Sequence, residues 1–398
     1  MRVVVTGFDS RGGVEPLAAL AVRLREQGAE VTVCLPPDDE FAKRLADAGV
    51  EMVPFGQSVR SLATRPGPPD LPRRAAEVIA NQREVLTSVA AGADVLVATG
   101  VMPACAGART VAEQVGARYV YATFQQLTLP SPHHPPIAYP GRPLPAGADN
   151  AAMWDWDRES INLLFGAAVN NDREAQGLPP IDDVRDYVIT AKPLLAADPV
   201  LSPWQPADLQ VVQTGAWLLP DDRPLPADLL AFLDAGEPPV YVGFGSMPMH
   251  GATDLGQVVV DAVRQHGRRM VLSRGWADLA SAGDDCFVTG EANHQALFRR
   301  VAAVVHHGGA GTTVTATWSG TPQVVVPQGV DQPYWASRVA ELGIGAAHDG
   351  PAHDGAVLTV ESLSAALGIA LDRAARAAEV AELISLEGAT VAAKMLAR

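Results

Sequence analysis

The run His306-His307-Gly308-Gly309-Ala310-Gly311-Thr312-Thr313 combines imidazoles, glycines and hydroxyls in an order suited to holding a phosphate. Ahead of it, 301–305 is a short apolar run of the kind a buried parallel strand uses. Behind it, 314–318 opens a helix that ends near Gly320. A strand, a glycine turn and a helix start in that order aim unpaired backbone N–H groups and a positive dipole end at an anion. Gly309 and Gly311 let the backbone approach closely, Thr312 and Thr313 add hydroxyl donors, and His307 can donate to a phosphate oxygen. Glycines in such a turn also serve packing alone, but the complete set favours a diphosphate. Ser246, in the turn Gly243-Phe244-Gly245-Ser246, supplies another donor.

A second cluster follows the strand pattern 323–326. The loop 327–330 delivers Asp331 and Gln332 to that strand's carboxyl end, and a carboxylate beside an amide matches a pair of sugar hydroxyls. Asp331 also fits the N-cap of a helix over 334–342. Proton acceptors are fewer: Asp331, Asp9, Glu15 and the histidines His133 and His134 are the candidates, with Asp331 and Asp9 foremost.

The elements that must position these groups follow an alternating pattern. The spacing predicts strands over 2–6, 30–34, 94–99 and 118–123, with helices over 15–27 and 103–115. The same grammar restarts at Pro239, with strands over 269–272, 286–288, 301–305 and 323–326. This is an α/β chain with two parallel sheets, and function in such sheets sits at the carboxyl ends of the strands. That places the loop 7–13 at the mouth of the first domain. The boundaries are a first domain over 1–218, a proline-rich linker over 219–226, a second domain over 227–373 and a helical region over 374–398. The two halves imply a deep interdomain cleft with hinge motion.

The stretch 128–157 differs in kind. Seven prolines break it, and His133, His134, Tyr139, Trp154 and Trp156 are interleaved among them, which suggests an irregular loop that stacks on an aromatic ligand. A disordered surface insertion is the plain alternative.

Composition bounds the function. The 398 residues include 48% hydrophobic and 6% aromatic side chains, so the core is mainly Ala, Val and Leu. A formal net charge of −15 argues against nucleic acid as a partner. No apolar run reaches the roughly 20 residues a membrane span requires, and nothing at the N-terminus resembles a secretory leader. The chain reads as cytoplasmic, with peripheral membrane contact and oligomeric state left open and a monomer assumed. Cys34, Cys105 and Cys286 are scattered and read as reduced core residues. Adjacent histidines without a spaced carboxylate do not make a metal site, and no metal or other cofactor is expected.

These motifs resemble the nucleotide-sugar glycosyltransferases of the GT-B fold, two Rossmann-like domains facing across a deep cleft. The resemblance extends over nearly the whole chain. It is carried by the 306–313 run, the N-terminal 7–16 segment, Ala197-Asp198-Pro199, Gln213-Thr214-Gly215, Ser273-Arg274-Gly275-Trp276 and Asp331-Gln332-Pro333. Within that family the chain is most similar to bacterial antibiotic glycosyltransferases acting on vancomycin- and teicoplanin-type glycopeptide aglycones.

The resemblance implies a nucleotide-sugar donor on the second domain and a large aromatic acceptor on the first. Transfer would be inverting and metal-independent. It implies that Arg274, Trp276, Glu291 and Asn293 line the nucleoside pocket, and that Asp331 and Gln332 contact a glucose-like donor, UDP-glucose or UDP-N-acetylglucosamine. Ser10 and Arg11 belong to its N-terminal loop, and His133, His134, Tyr139 and Trp154 to the acceptor loop. The family loop reads Gly-Ser-Arg-Gly-Asp-x-Glu-Pro with its aspartate as general base, and here the matching position is Gly13. The alternatives are a macrolide or aromatic polyketide acceptor, a UDP-sugar 2-epimerase, or a non-catalytic helper that binds nucleotide sugars.

Overall fold

A computed structural model describes residues 1–63, 69–244, 255–274, 283–348 and 358–398. The chain forms two compact units. Unit 1 comprises Met1–Pro199, Pro203–Leu219 and Leu386–Arg398; unit 2 comprises Val200–Ser202 and Pro220–Ser385.

Among the described residues unit 1 carries seven strands: β1 (Arg2–Phe8), β2 (Glu30–Leu35), β3 (Glu51–Pro54), β4 (Val95–Gly100), β5 (Arg118–Thr123), β6 (Leu194–Leu195) and β7 (Val212–Gln213). They pair in parallel in the order β3-β2-β1-β4-β5-β6-β7. The strand order reverses between β1 and β4, which opens a crevice at their carboxyl ends. Val3, Val4 and Val5 of β1 are fully buried, as a central parallel strand covered on both faces requires. Register places Gly7 opposite Thr99 and Phe8 opposite Gly100, so β1 and β4 end together.

Unit 2 repeats the plan with β8 (Val240–Gly243), β9 (Met270–Ser273), β10 (Cys286–Thr289), β11 (Ala303–His306), β12 (Gln323–Val325) and β13 (Gly345–Ala347). Their order is β10-β9-β8-β11-β12-β13, all parallel, and it reverses between β8 and β11. The residue that ends β11 is His306, so the glycine turn begins at that reversal.

The first helix starts earlier than the sequence predicts, at Arg11 rather than Glu15, and runs to Glu26 with Pro16 inside it. Only Asp9 and Ser10 separate it from β1, so Ser10 is its N-cap and Arg11 lies in its first turn. The irregular stretch likewise ends sooner. Asp149 accepts from the Ala152 N–H at 2.9 Å and starts a helix over Asn150–Ala175, which takes Trp154 and Trp156 out of the expected loop.

At the other end of the chain, the helix Ala374–Ala381 stays with unit 2. From Leu386 onward the chain belongs to unit 1, where Ala389, Ala392, Ala393 and Leu396 join the core that holds Val14, Leu17 and Ala21.

The proline-rich stretch beyond Leu219 is tied down within unit 2. Asn293 donates from Nδ2 to the carbonyls of Asp221 (2.7 Å) and Arg223 (2.8 Å), and the Asp221 N–H donates to Gln295 at 3.2 Å. Arg223 pairs with Asp221 at 2.7 Å and with Glu291 at 3.4 Å.

Candidate functional site

The carboxyl edge of unit 2 brings the glycine turn and the Asp331-Gln332 pair into contact. Gly308 has φ +94°, and a Cβ there would stand 2.7 Å from Val325 and 3.3 Å from the Gln332 Cβ. Only glycine fits a left-handed position so closely flanked. Gly309 is the N-cap of the helix Ala310–Trp318 and has no side chain to satisfy the helix start. The first intrahelical bond runs from the Thr313 N–H to the Gly309 carbonyl at 3.0 Å. The N–H groups of Ala310, Gly311 and Thr312 therefore have no helical acceptor, the arrangement that binds anions.

The two histidines divide the work. His306 is fully buried; the Gly308 N–H donates to its Nδ1 at 3.1 Å, so the ring proton sits on Nε2 and faces the Gln323 carbonyl oxygen at 3.0 Å. Gln323 then donates to Thr317, whose hydroxyl donates to the Thr313 carbonyl. Burial, aided by His307, pulls the His306 pKa down to about 3, so this ring is a neutral brace for the turn.

Burial lowers His307 to about 4. Its Nδ1 is buried without a partner among the described residues. A buried N–H without an acceptor is rarer and costlier than a buried lone pair, so the proton belongs on Nε2. That nitrogen would lie 2.7 Å from a Cβ on Gly309, which makes Gly309 a condition for the ring to cross the turn. His307 thus presents a neutral N–H donor beside the orphan backbone donors.

The hydroxyls are not equivalent. Thr313 is fully buried and donates to the Gly309 carbonyl at 3.0 Å, so it braces the turn and is not a ligand donor, contrary to the sequence expectation. Thr312 is half-buried, and its hydroxyl is bonded to no other described residue, which leaves it as the turn's hydroxyl donor.

Asp331 occupies the N-cap position of the helix Gln332–Glu341 without capping it. Its Oδ2 accepts from the Trp335 indole N–H at 2.8 Å. Burial pushes its pKa up, against the pull of that indole bond. Gln332 is buried, and its carbonyl oxygen accepts from the Gln328 N–H at 2.6 Å, while no described residue accepts from its amide N–H groups. Between them and β12 lies Val330, 64% exposed and at φ +58°, a strained setting for a β-branched residue beside a proposed site.

Other expected residues fall differently. Asn293 spends both donors on the 221–223 backbone and accepts from the Ala296 N–H at 3.0 Å as a helix N-cap, so it is a brace and not a nucleoside ligand. Glu291 is exposed and paired with Arg223. Arg274 is exposed at the end of β9, its N–H bonded to the Thr289 carbonyl. Ser246 and Trp276 lie outside the described residues.

In unit 1 the expected aromatic loop is largely core. Trp154 is 5% exposed and donates to the His134 carbonyl at 2.8 Å. His134 is buried edge-on between Trp154 and Trp204, and Tyr139 packs against Phe165. These rings pack against one another, with His134 Nε2 buried and without a hydrogen-bond partner among the described residues, which departs from the expectation that His134 and Trp154 face an open acceptor surface; His133 alone of the pair is exposed, bonded to the Pro206 carbonyl. Sequence reasoning missed a shallow depression lined by Phe8, Phe55, Leu62, Arg74 and Asn81. Its residues come from four separate segments, so no local pattern marks it.

Comparison with known proteins gives a consistent result. The family described as Glycosyltransferase family 28 N-terminal domain matches residues 3–130, and that described as Erythromycin biosynthesis protein CIII-like, C-terminal domain, matches residues 271–391. The vancomycin aglycone glucosyltransferase of Amycolatopsis orientalis is 50% identical over 404 residues, covering 100% of this chain and 97% of its own. The dTDP-epi-vancosaminyltransferase of the same organism is 49% identical over 379 residues, covering 93% and 90%. Among solved structures, the glycotransferase of kitacinnamycin superposes with a TM-score of 0.72 at 21% identity, covering 100% of this chain and 98% of its own. The glycosyltransferase VinC in complex with dTDP gives 0.69 at 22% identity, covering 100% and 99%. The likeness to both is one of fold.

Proposed function

This chain belongs to the GT-B antibiotic glycosyltransferases, in the group that contains the vancomycin-type enzymes, and on that premise we propose that it moves a hexose from UDP-glucose or UDP-N-acetylglucosamine to a hydroxyl of a glycopeptide aglycone. The transfer inverts the anomeric centre and uses no metal. One observation carries the donor half of this reading. A neutral His307 with its proton on Nε2 stands beside three backbone N–H groups that have no helical acceptor. Donors fixed before the reaction stabilise the charge that develops on a leaving diphosphate, the task a divalent cation performs in other designs.

Gln332 abuts that turn through Gly308, and Asp331 precedes it in the chain, which supports a place for both beside a sugar attached to a diphosphate held there. The acceptor half rests on the aglycone named for the vancomycin-type relative.

Calorimetric titration of the full chain with UDP, UDP-glucose and dTDP tests the donor assignment. H307A should weaken UDP and UDP-glucose alike by about 10- to 100-fold, the worth of a hydrogen bond to a charged group. D331N should weaken UDP-glucose while leaving UDP unchanged. Unaltered UDP binding in H307A would contradict the reading.

A further inference from the structure

The loop from β12 to the helix Gln332–Glu341 is closed by its own polar groups. Gln328 donates from Nε2 back to the Val326 carbonyl at 3.1 Å, and its main-chain N–H donates to Oε1 of Gln332 at 2.6 Å. The Gln332 N–H donates to the Gly329 carbonyl at 3.1 Å. Gln332 thus grips the loop twice, by side chain and by main chain, and Val330 is the middle residue of the span it closes. Asp331, the next residue, is held by the Trp335 indole at 2.8 Å.

This double grip accounts for the backbone of Val330, which stands at φ +58°. Glycine or asparagine adopts that conformation easily, whereas a β-branched residue is strained in it. The core does not demand the valine, because its side chain is 64% exposed. A lone exposed apolar side chain is ordinary on a protein surface. A strained one is not: such strain persists where surrounding bonds over-determine it, and it gathers at ligand clamps.

The setting of the loop says which ligand. β11 and β12 run in parallel with His306 opposite Val325, and the Val326 N–H donates to the His306 carbonyl at 2.8 Å. The loop therefore leaves the sheet beside the glycine turn. A Cβ on Gly308 would meet the Gln332 carbonyl at 3.2 Å and the Gln332 Cβ at 3.3 Å, so loop and turn are packed together. A sugar attached to a diphosphate at that turn has this loop as its neighbour. Gln328 and Gln332 spend bonds on the loop's own backbone, while Val330 offers an apolar surface. Such a surface suits the carbon-bound hydrogens of a pyranose ring and not its hydroxyls.

We propose that Val330 is a sugar-binding residue of the donor site, its isopropyl group held by the Gln328–Gln332 clasp against the C–H face of the hexose. This rests on the donor reading above. Because the clasp fixes the backbone in advance, the contact is made without ordering a loop.

Calorimetric titration of the full chain with UDP and UDP-glucose separates the sugar from the nucleotide. V330G should weaken UDP-glucose by about three- to tenfold, the worth of a partly buried isopropyl group, and leave UDP unchanged. Its denaturant midpoint should rise, so the weaker binding cannot come from a looser fold. V330I keeps a branched apolar side chain and should bind UDP-glucose within about twofold of the unsubstituted chain. UDP-glucose affinity unchanged in V330G, with or without a raised acceptor KM, would overturn the proposal and leave the donor reading intact. So would an equal loss of UDP and UDP-glucose, or V330I binding as weakly as V330G. An unsubstituted chain that binds neither nucleotide would overturn both.

Discussion

Lowering the pH from 7.5 to 5 should loosen the glycine turn of unit 2 through two histidines that cannot afford a second proton. His306 is held to about 3 and His307 to about 4, against about 6.5 in an unfolded chain. Both folded values lie below the unfolded one, so the stability they confer is complete above pH 6.5 and is lost as the pH falls toward 4 and 3. At pH 5 the unfolded imidazoles are almost fully protonated while the folded ones remain neutral. The gap of about 1.5 pH units, at about 1.4 kcal/mol per unit, costs about 2 kcal/mol for each ring and about 4 kcal/mol for the pair. Hydrogen exchange of the segment 303–318, corrected for the intrinsic pH dependence of exchange, would read this as an opening free energy. It should fall by about that amount between pH 7.5 and 5, and by about half as much in H306L. Imidazole resonances of His306 or His307 titrating near 6.5 in the folded protein would refute the reasoning.

Further outcomes follow from the same contacts. T313V should cost about 1 kcal/mol in unfolding free energy and leave UDP affinity unchanged, because its hydroxyl serves the Gly309 carbonyl; T312V should do the reverse, in denaturant titration and calorimetry. V330G should raise stability by about 1 kcal/mol, since glycine relieves the positive φ at a largely exposed position, and a lower denaturant midpoint would contradict the strain. N293A should cost about 2–3 kcal/mol by stranding the carbonyls of Asp221 and Arg223 and the Ala296 N–H, read as a lower midpoint at unchanged m-value.

Much of this was legible in the sequence for a physical reason. Strands buried on both faces read as continuous apolar runs, so β1, β4, β8 and β11 announce themselves, and the glycine turn follows β11 directly. The edge strand β3, Glu51-Met52-Val53-Pro54, carries no such run, and β6 and β7 are two residues each. Prolines and aromatics in the 128–157 stretch were read as an exposed loop. The Asp149 cap was present, but nothing local says that the rings of His134, Trp154 and Trp204 bury one another. Asn293 was misplaced because an asparagine that caps a helix and one that meets a nucleoside have the same side chain. Only its three bonds, two of them to residues about seventy positions away, tell them apart.

The central claim is metal-free, inverting transfer of a hexose by this chain. The direct test is incubation of the purified protein with UDP-glucose and a heptapeptide aglycone in excess EDTA, with the product weighed by mass spectrometry and its anomeric proton read by NMR. The account requires a single hexose added to the aglycone, with a β linkage from the α-linked donor, at the rate seen without EDTA. A product of retained configuration, a reaction abolished by EDTA, or donor hydrolysis without any aglycone adduct would contradict it.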